Sequence, residues 1–260
     1  MAKWTAFPYG DDYHCDAAAL KKHWARLHAG DAEPWPKDDA VVAAWALFHG
    51  GDFQKAFEAG LKAGASGMTA GITVANKAQC IYANYLEKSE KTRLAMFLEA
   101  SERAEAQQDA EPKNANAHYW QAYALGRYSQ GISVAKALAQ GLGGKVKAAL
   151  ETAIQLAPKH ADAHIALGSF HAEVIDKVGK LLGRTQGADA STGLKMYQQA
   201  LKLNPTSAIA MIEYANGLVM LEGEKKMKEA EKLYADAAAC KAMDAMERLD
   251  VEMAKAELED

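Results

Sequence analysis

The sequence predicts an all-α protein: a solenoid of about five antiparallel helix pairs, with elongated first helices or inserted loops, closed by a C-terminal capping helix. Three observations carry this prediction. Alanine is abundant and alternating β-branched runs are absent, which favours helix over strand. Prolines are scarce, and three of them, Pro112, Pro158 and Pro205, recur at spacings of 46 and 47 residues. Small residues recur in register with those prolines, at places where helices would cross.

Residues 1–36 precede the repeating part and form an N-terminal helical extension packing on the solenoid. HCDAAALKKHWARLHAG reads as one amphipathic helix with Leu20, Trp24 and Leu27 on one side, ended by Gly30. DAEPWPKDD then breaks the helix and delivers the chain to the first pair. Trp35, between two prolines, either packs this turn against the core or faces a ligand. The pairs follow at 37–70, 71–114, 115–160, 161–207 and 208–242. Three junctions align on their prolines: EPKNANAHYWQAYALG, APKHADAHIALGSFHA and NPTSAIAMIEYANGLV. Each follows an amphipathic stretch such as ALETAIQLA or KMYQQALKL, so a helix ends, turns tightly at proline and a new helix begins. Residues 243–260 supply the final helix, DAMERLDVEMAKAELE, with Asp244 placed to cap it and a charged surface suited to the end of a solenoid.

This layout resembles the tetratricopeptide repeat (TPR), a 34-residue pair of antiparallel helices. GGDFQKAFEAGL, Gly50 to Leu61, is similar to that family's inter-helix turn and second helix. In the family's register the eighth position holds Ala44, Ala78, Ala122, Gly168 and Ala215. The twentieth holds Ala56, Ala100, Val146, Gly193 and Ala230, and the twenty-seventh Ala63, Gln107, Ala153, Ala200 and Ala237, with Gln107 and Val146 the departures. The eighth-position intervals are 34, 44, 46 and 47 residues. The additional residues fall in YLEKSEKTRLA, YSQGISVAKALAQGLGG and IDKVGKLLGRTQGA, and are expected to lengthen first helices that return through Gly-rich loops. From roughly Lys113 to Leu221, GKVKAALETAIQLAPKHADAHIALGSFHAEV and its Gly-containing loop also resemble the regulator-of-microtubule-dynamics family and the T component of TRAP transporters.

Composition narrows the function classes. With 30 Lys plus Arg against 34 Asp plus Glu, the net charge of −4 gives no electrostatic reason to expect nucleic acid or an anionic membrane as partner. Cys15, Cys80 and Cys240 lie far apart, which disfavours a disulfide framework and suits a reducing compartment. MAKWTAFPYGDDYHC has no apolar signal core and no segment approaches a membrane span. A cytoplasmic location without membrane insertion is therefore expected; a periplasmic one would require that a signal sequence has been removed.

The chemical candidates are few. His160, His164 and His171 cluster in one stretch, at helical offsets that would place the three imidazoles near one face, where a transition metal could be held. The register separates them. His160 falls in the turn, where exposure is expected, and His164 shares the fourth, packing position with His118. His171 stands at the eleventh position, where the other copies have Leu47, Ile81, Leu125 and Leu218; a buried imidazole there needs a hydrogen-bond partner, which the neighbouring insertion could supply. Cys15, His23 and His28, with His14 adjacent, do not converge on one helix face. GLGGK lacks the GxxxxGK[ST] spacing of a phosphate loop, and neither GxSxG nor HExxH occurs. No catalytic residue and no cofactor is implied.

The TPR resemblance implies a groove lined by first helices, selecting Trp45, Gln79, Tyr82, Tyr119, Tyr123, Arg127, Ser169, Glu173 and Asn216, with Ile165 and Ile212 between them. The expected function is a non-catalytic scaffold whose groove takes a protein or peptide. Alternatives are a small-ligand or transporter-associated subunit with an enclosed pocket and, more remotely, a metal-dependent enzyme using His118, His164 and His171. A homo-oligomer is compatible with the sequence.

Overall fold

Several helices start at a polar side chain that accepts from backbone N–H groups the helix itself cannot satisfy. Asn114 accepts from Asn116 and Ala117, His160 Nδ1 from Ala163 at 3.1 Å, and Ser207 from Ala210. Each stands two residues after one of the recurring prolines, so the turn and the cap form one device. Ser89 and Asp189 cap the helices that follow the inserted loops, accepting from Thr92 and Thr192. His160 departs from the expected exposed turn residue: it is completely buried, and its imidazole takes the place of the Asn or Ser found at the other two junctions.

The computed structural model describes residues 3–10 and 12–259. Among these there are thirteen α-helices and no strand. The first compact unit comprises the described residues of Met1–His28, Glu33–Ser133 and Met243–Met246. It contains α1 (Ala17–Leu27), α2 (Asp39–His49), α3 (Phe53–Ala65), α4 (Ala70–Tyr85), α5 (Glu90–Ala110) and α6 (Ala115–Gln130). The second comprises Ala29–Ala32, Val134–Ala242 and the described residues of Glu247–Asp260. Its helices are α7 (Val134–Ala139), α8 (Leu142–Leu156), α9 (Ala161–Thr185), α10 (Ala190–Leu203), α11 (Ala208–Glu222), α12 (Met227–Ala238) and most of α13 (Ala245–Glu259). Leu20, Trp24 and Leu27 of α1 are buried as expected, but the helix ends at Leu27, three residues before Gly30. Gly30 instead lies so close to Asp162 that a Cβ there would stand 2.5 Å from the carboxylate.

The additional residues are used in three ways. In 71–114 they lengthen the second helix, giving a 21-residue α5 after a 16-residue α4. In 115–160 they form the short helix α7. Only in 161–207 is the first helix greatly extended, to the 25 residues of α9, and its geometry breaks at Gly179, which has φ 78°.

All fifteen residues at the eighth, twentieth and twenty-seventh positions are buried. Gln107, the polar departure, is accommodated because the two hydrogens of its amide nitrogen are shared among three acceptors, the Thr69 carbonyl, Thr73 Oγ1 and Glu111. A close approach of α3 to α4 uses other residues. A Cβ at Gly60 would meet the Gly71 carbonyl oxygen at 2.6 Å and the Ala75 nitrogen at 2.9 Å, both backbone atoms. Gly60→Ala therefore forces the helices apart and is expected to lower stability by about 1–3 kcal/mol. Gly126 on α6 has nothing within 4 Å of its added Cβ, so Gly126→Ala is expected to raise stability by about 1 kcal/mol through helix propensity. Urea denaturation of the two variants should shift the midpoint in opposite directions.

Candidate functional site

In the first unit the groove candidates divide by burial. Trp45 is 0 % exposed. It packs among Trp24, His28, Phe48 and His49, with the Lys77 ammonium 5.5 Å from its ring centre. Its contribution is to the core. Gln79 on α4 is also buried: its amide nitrogen donates to Glu99 at 3.0 Å and its carbonyl oxygen accepts from the Arg103 guanidinium. Arg103 in addition donates to Asn76 at 2.7 Å and covers the Phe57 ring. Gln79 is thus a tie between α4 and α5. Tyr82 lies one turn further along α4, and its hydroxyl donates to Glu87 at 3.1 Å.

Tyr119, Tyr123 and Arg127 fall one turn apart along α6. Tyr119 is buried with its ring edge on Trp120, 4.9 Å between centroids. Tyr123 and Arg127 are half-exposed, the guanidinium standing 5.4 Å from the Tyr123 ring centre and reaching Gln130 at 3.3 Å. Here an aromatic face and a planar cation are held together at the surface, a combination suited to binding carboxylate or aromatic groups.

In the second unit Ser169 on α9 donates to Glu213 on α11 at 2.9 Å and accepts from the Tyr197 hydroxyl at 3.1 Å. Asn216, one turn along α11, accepts from Tyr234 at 2.6 Å. Ser169, Glu173, Glu213, Tyr214 and Asn216 are all half-exposed, while Ile165 and Ile212 between them are buried. Glu213, Tyr197 and Tyr234 are missing from the sequence-based selection. Glu213 stands at the sixth position of its pair, outside the positions the family pattern marks, and the two tyrosines are on second helices.

The histidines are engaged separately. His118 Nε2 is 3.1 Å from the Pro112 carbonyl oxygen and His164 Nε2 is 3.2 Å from that of Pro158; each ties its helix back to the preceding proline turn. His171 is buried, and its Nδ1 accepts from the Asp189 backbone N–H at 3.1 Å, so its partner is the cap residue of α10, immediately after the insertion. Among the described residues no group of three or more His, Cys, Asp or Glu side chains is arranged to hold a metal ion. All three cysteines are free thiols, and burial pushes that of Cys80 up to about 12. Trp35 sets its ring edge against Trp24, at 4.9 Å. Among the described residues no helix is long and apolar enough to cross a membrane.

The His171 contact has a pH consequence. Burial, with Lys147 assisting, lowers the imidazole below its ordinary value of 6.5, against opposing contributions from Asp189 and Glu151. A lowered histidine binds protons more weakly folded than unfolded, so stability is complete above pH 6.5 and declines as pH falls from there towards the folded value. His171→Leu, the residue most other copies carry, should flatten melting temperature against pH as pH falls below 6.5. An unchanged slope would show that other groups govern it.

The sequence model of the regulator of microtubule dynamics protein 1-3 family matches residues 44–258. The chain belongs to this family. The match extends the likeness well beyond the stretch from Lys113 to Leu221 that carries it in the sequence. No curated protein matches the chain. Among solved structures, the crystal structure of TTC0263, a thermophilic TPR protein of Thermus thermophilus, is similar with a TM-score of 0.60 and 15 % identity. The likeness covers 84 % of this chain and 98 % of that one. At that identity it speaks for fold alone, and this member of the regulator of microtubule dynamics protein 1-3 family is accordingly an all-α, TPR-like helical-repeat protein.

Proposed function

We propose that the chain is a non-catalytic scaffold that binds a protein or peptide in the cytoplasm, each unit through the exposed face of its first helices. The observation that supports this most directly is the pairing of Tyr123 with Arg127. Two side chains of the types that dominate binding energy in interfaces are held side by side and half-exposed. In the second unit Ser169, Glu213 and Asn216 are similarly positioned by hydrogen bonds to neighbouring helices. Preformed helices would bind with little ordering cost on this side of the interface. The three free thiols suit a reducing compartment. The pairs at 37–70, 71–114, 115–160, 161–207 and 208–242 serve as its five repeats in this reading, with an N-terminal extension and a terminal cap.

The test is recovery of partners from native lysate by wild type and by the Tyr123→Ala, Arg127→Ala double variant. Loss of both side chains is expected to reduce recovery by about tenfold or more, with an unchanged circular dichroism melt. Full recovery by the folded variant would remove this face from consideration.

A further inference from the structure

The chain already seats a peptide on the first unit. Residues 3–7 have no regular secondary structure, yet side chains of α3 and α4 receive their backbone. The Trp4 N–H donates to Gln54 Oε1 at 3.0 Å and the Thr5 N–H to the Tyr82 hydroxyl at 3.2 Å. The Trp4 ring stacks on Tyr82 at 4.3 Å with a 15° interplanar angle, and lies 5.2 Å from Phe57. Three residues on, Phe7 sets its ring edge on Phe53, 6.0 Å away, above Gly51. Thr5 and Ala6 between these anchors are exposed. Aromatic anchors in adjoining aromatic sites, with backbone donors at the first anchor and the residue after it met by side-chain acceptors, are the means by which a folded surface recognises a peptide segment.

We infer that the face formed by Gln54, Phe57 and Tyr82 is a peptide-binding site that the chain's own N-terminal segment fills in cis. Its partner is a segment carrying a large aromatic residue and a second aromatic three positions later, with free backbone N–H groups at the first aromatic and at the residue after it. This rests on the reading of the molecule as a peptide-binding scaffold and names the partner chemistry of one site. The attached segment competes at an effective concentration of about 1 mM, typical of short tethers. A free peptide therefore gains access only when it binds more tightly or when the segment is released. Tyr82 is inaccessible because the chain's own residues cover it.

The test uses the full chain and a fluorescein-labelled peptide of residues 3–10, KWTAFPYG, followed by anisotropy. The Trp4→Ala, Phe7→Ala double variant releases the segment while leaving α3 and α4 unaltered. Thr5→Pro releases it differently, by removing the N–H given to Tyr82. The peptide should bind either released chain about tenfold more tightly than wild type, or better. Binding should be lost when Tyr82→Ala is added, or when the probe carries Trp4→Ala. Equal binding to wild type and released chains would overturn the inference, as would no binding to a Thr5→Pro chain whose circular dichroism spectrum is native. Because Tyr123 and Arg127 are on α6, a null result in the partner-recovery experiment and a null result here are separate outcomes.

Discussion

His49→Ala is expected to destabilise the protein by about 3–5 kcal/mol, the cost of breaking a buried polar pair by removing one member. His49, 1 % exposed, closes α2. Its Nδ1 lies 2.6 Å from Asp244 Oδ2, and its Nε2 lies 3.2 Å from His28 Nε2. Two ring nitrogens at hydrogen-bond distance share one proton, so His28, His49 and Asp244 form a chain in which each group depends on the next. Alanine would leave the Asp244 carboxylate, itself 2 % exposed, without its imidazole, and would vacate space between Trp45 and Phe48. For a chain of this size the loss corresponds to a fall in melting temperature of roughly 10 °C. Asp244→Asn keeps a carbonyl oxygen for the Nδ1 proton and should cost markedly less than Asp244→Ala. In a double-mutant cycle between His49→Ala and Asp244→Ala, coupling below about 0.5 kcal/mol would show the two acting independently and would refute the chain.

Asp244 also shows which part of the structure the sequence could disclose. Its place immediately before α13 was legible, because a helix start depends on neighbouring residues. Its contact with His49 spans 195 residues, and no local pattern specifies that. The same division runs through the histidines. The twin roles of His118 and His164 were legible in register, since both answer to a proline turn six residues earlier. His160 misled because histidine is an uncommon cap, and burial follows from what packs over a turn. The small positions were legible as small and buried, but Gly60 and Gly71 lie outside the register, and a Cβ on either would stand 2.6 Å from the other's carbonyl oxygen. Among the groove candidates, spacing placed Tyr123 and Arg127 on one helix line. It could not tell that Trp45 faces the core, or that Trp4, outside the repeats, covers Tyr82. Periodicity assigns a residue to a helix face; what occupies that face is decided by segments remote in the chain.

Tyr197→Ala should have a comparable effect in the second unit, about 3–5 kcal/mol, as for other large aromatic truncations. The side chain is 1 % exposed and belongs to the core formed with Ile165, Ala200 and Ala210. Its ring occupies the space left by two glycines. A Cβ at Gly168 would meet it at 2.9 Å, and one at Gly217 would meet it at 2.4 Å. The glycines of α9 and α11 and the ring of α10 are therefore one packing unit, which makes their substitutions conditional on each other. Gly217→Ala alone overpacks the site and should cost about 1–3 kcal/mol. In a Tyr197→Ala background the same methyl enters the vacated space and brings the helix-propensity gain of about 1 kcal/mol, so its sign reverses. Tyr197→Phe separates the hydroxyl from the ring: it removes only the bond to Ser169, worth about 1 kcal/mol, and leaves Gly217→Ala as costly as before. Urea denaturation of the four members of the Tyr197→Ala, Gly217→Ala cycle measures this directly. Additive effects would mean that ring and glycine do not share the space, whereas a coupling of about 2 kcal/mol or more, a magnitude seen for residues in contact, is the expected result.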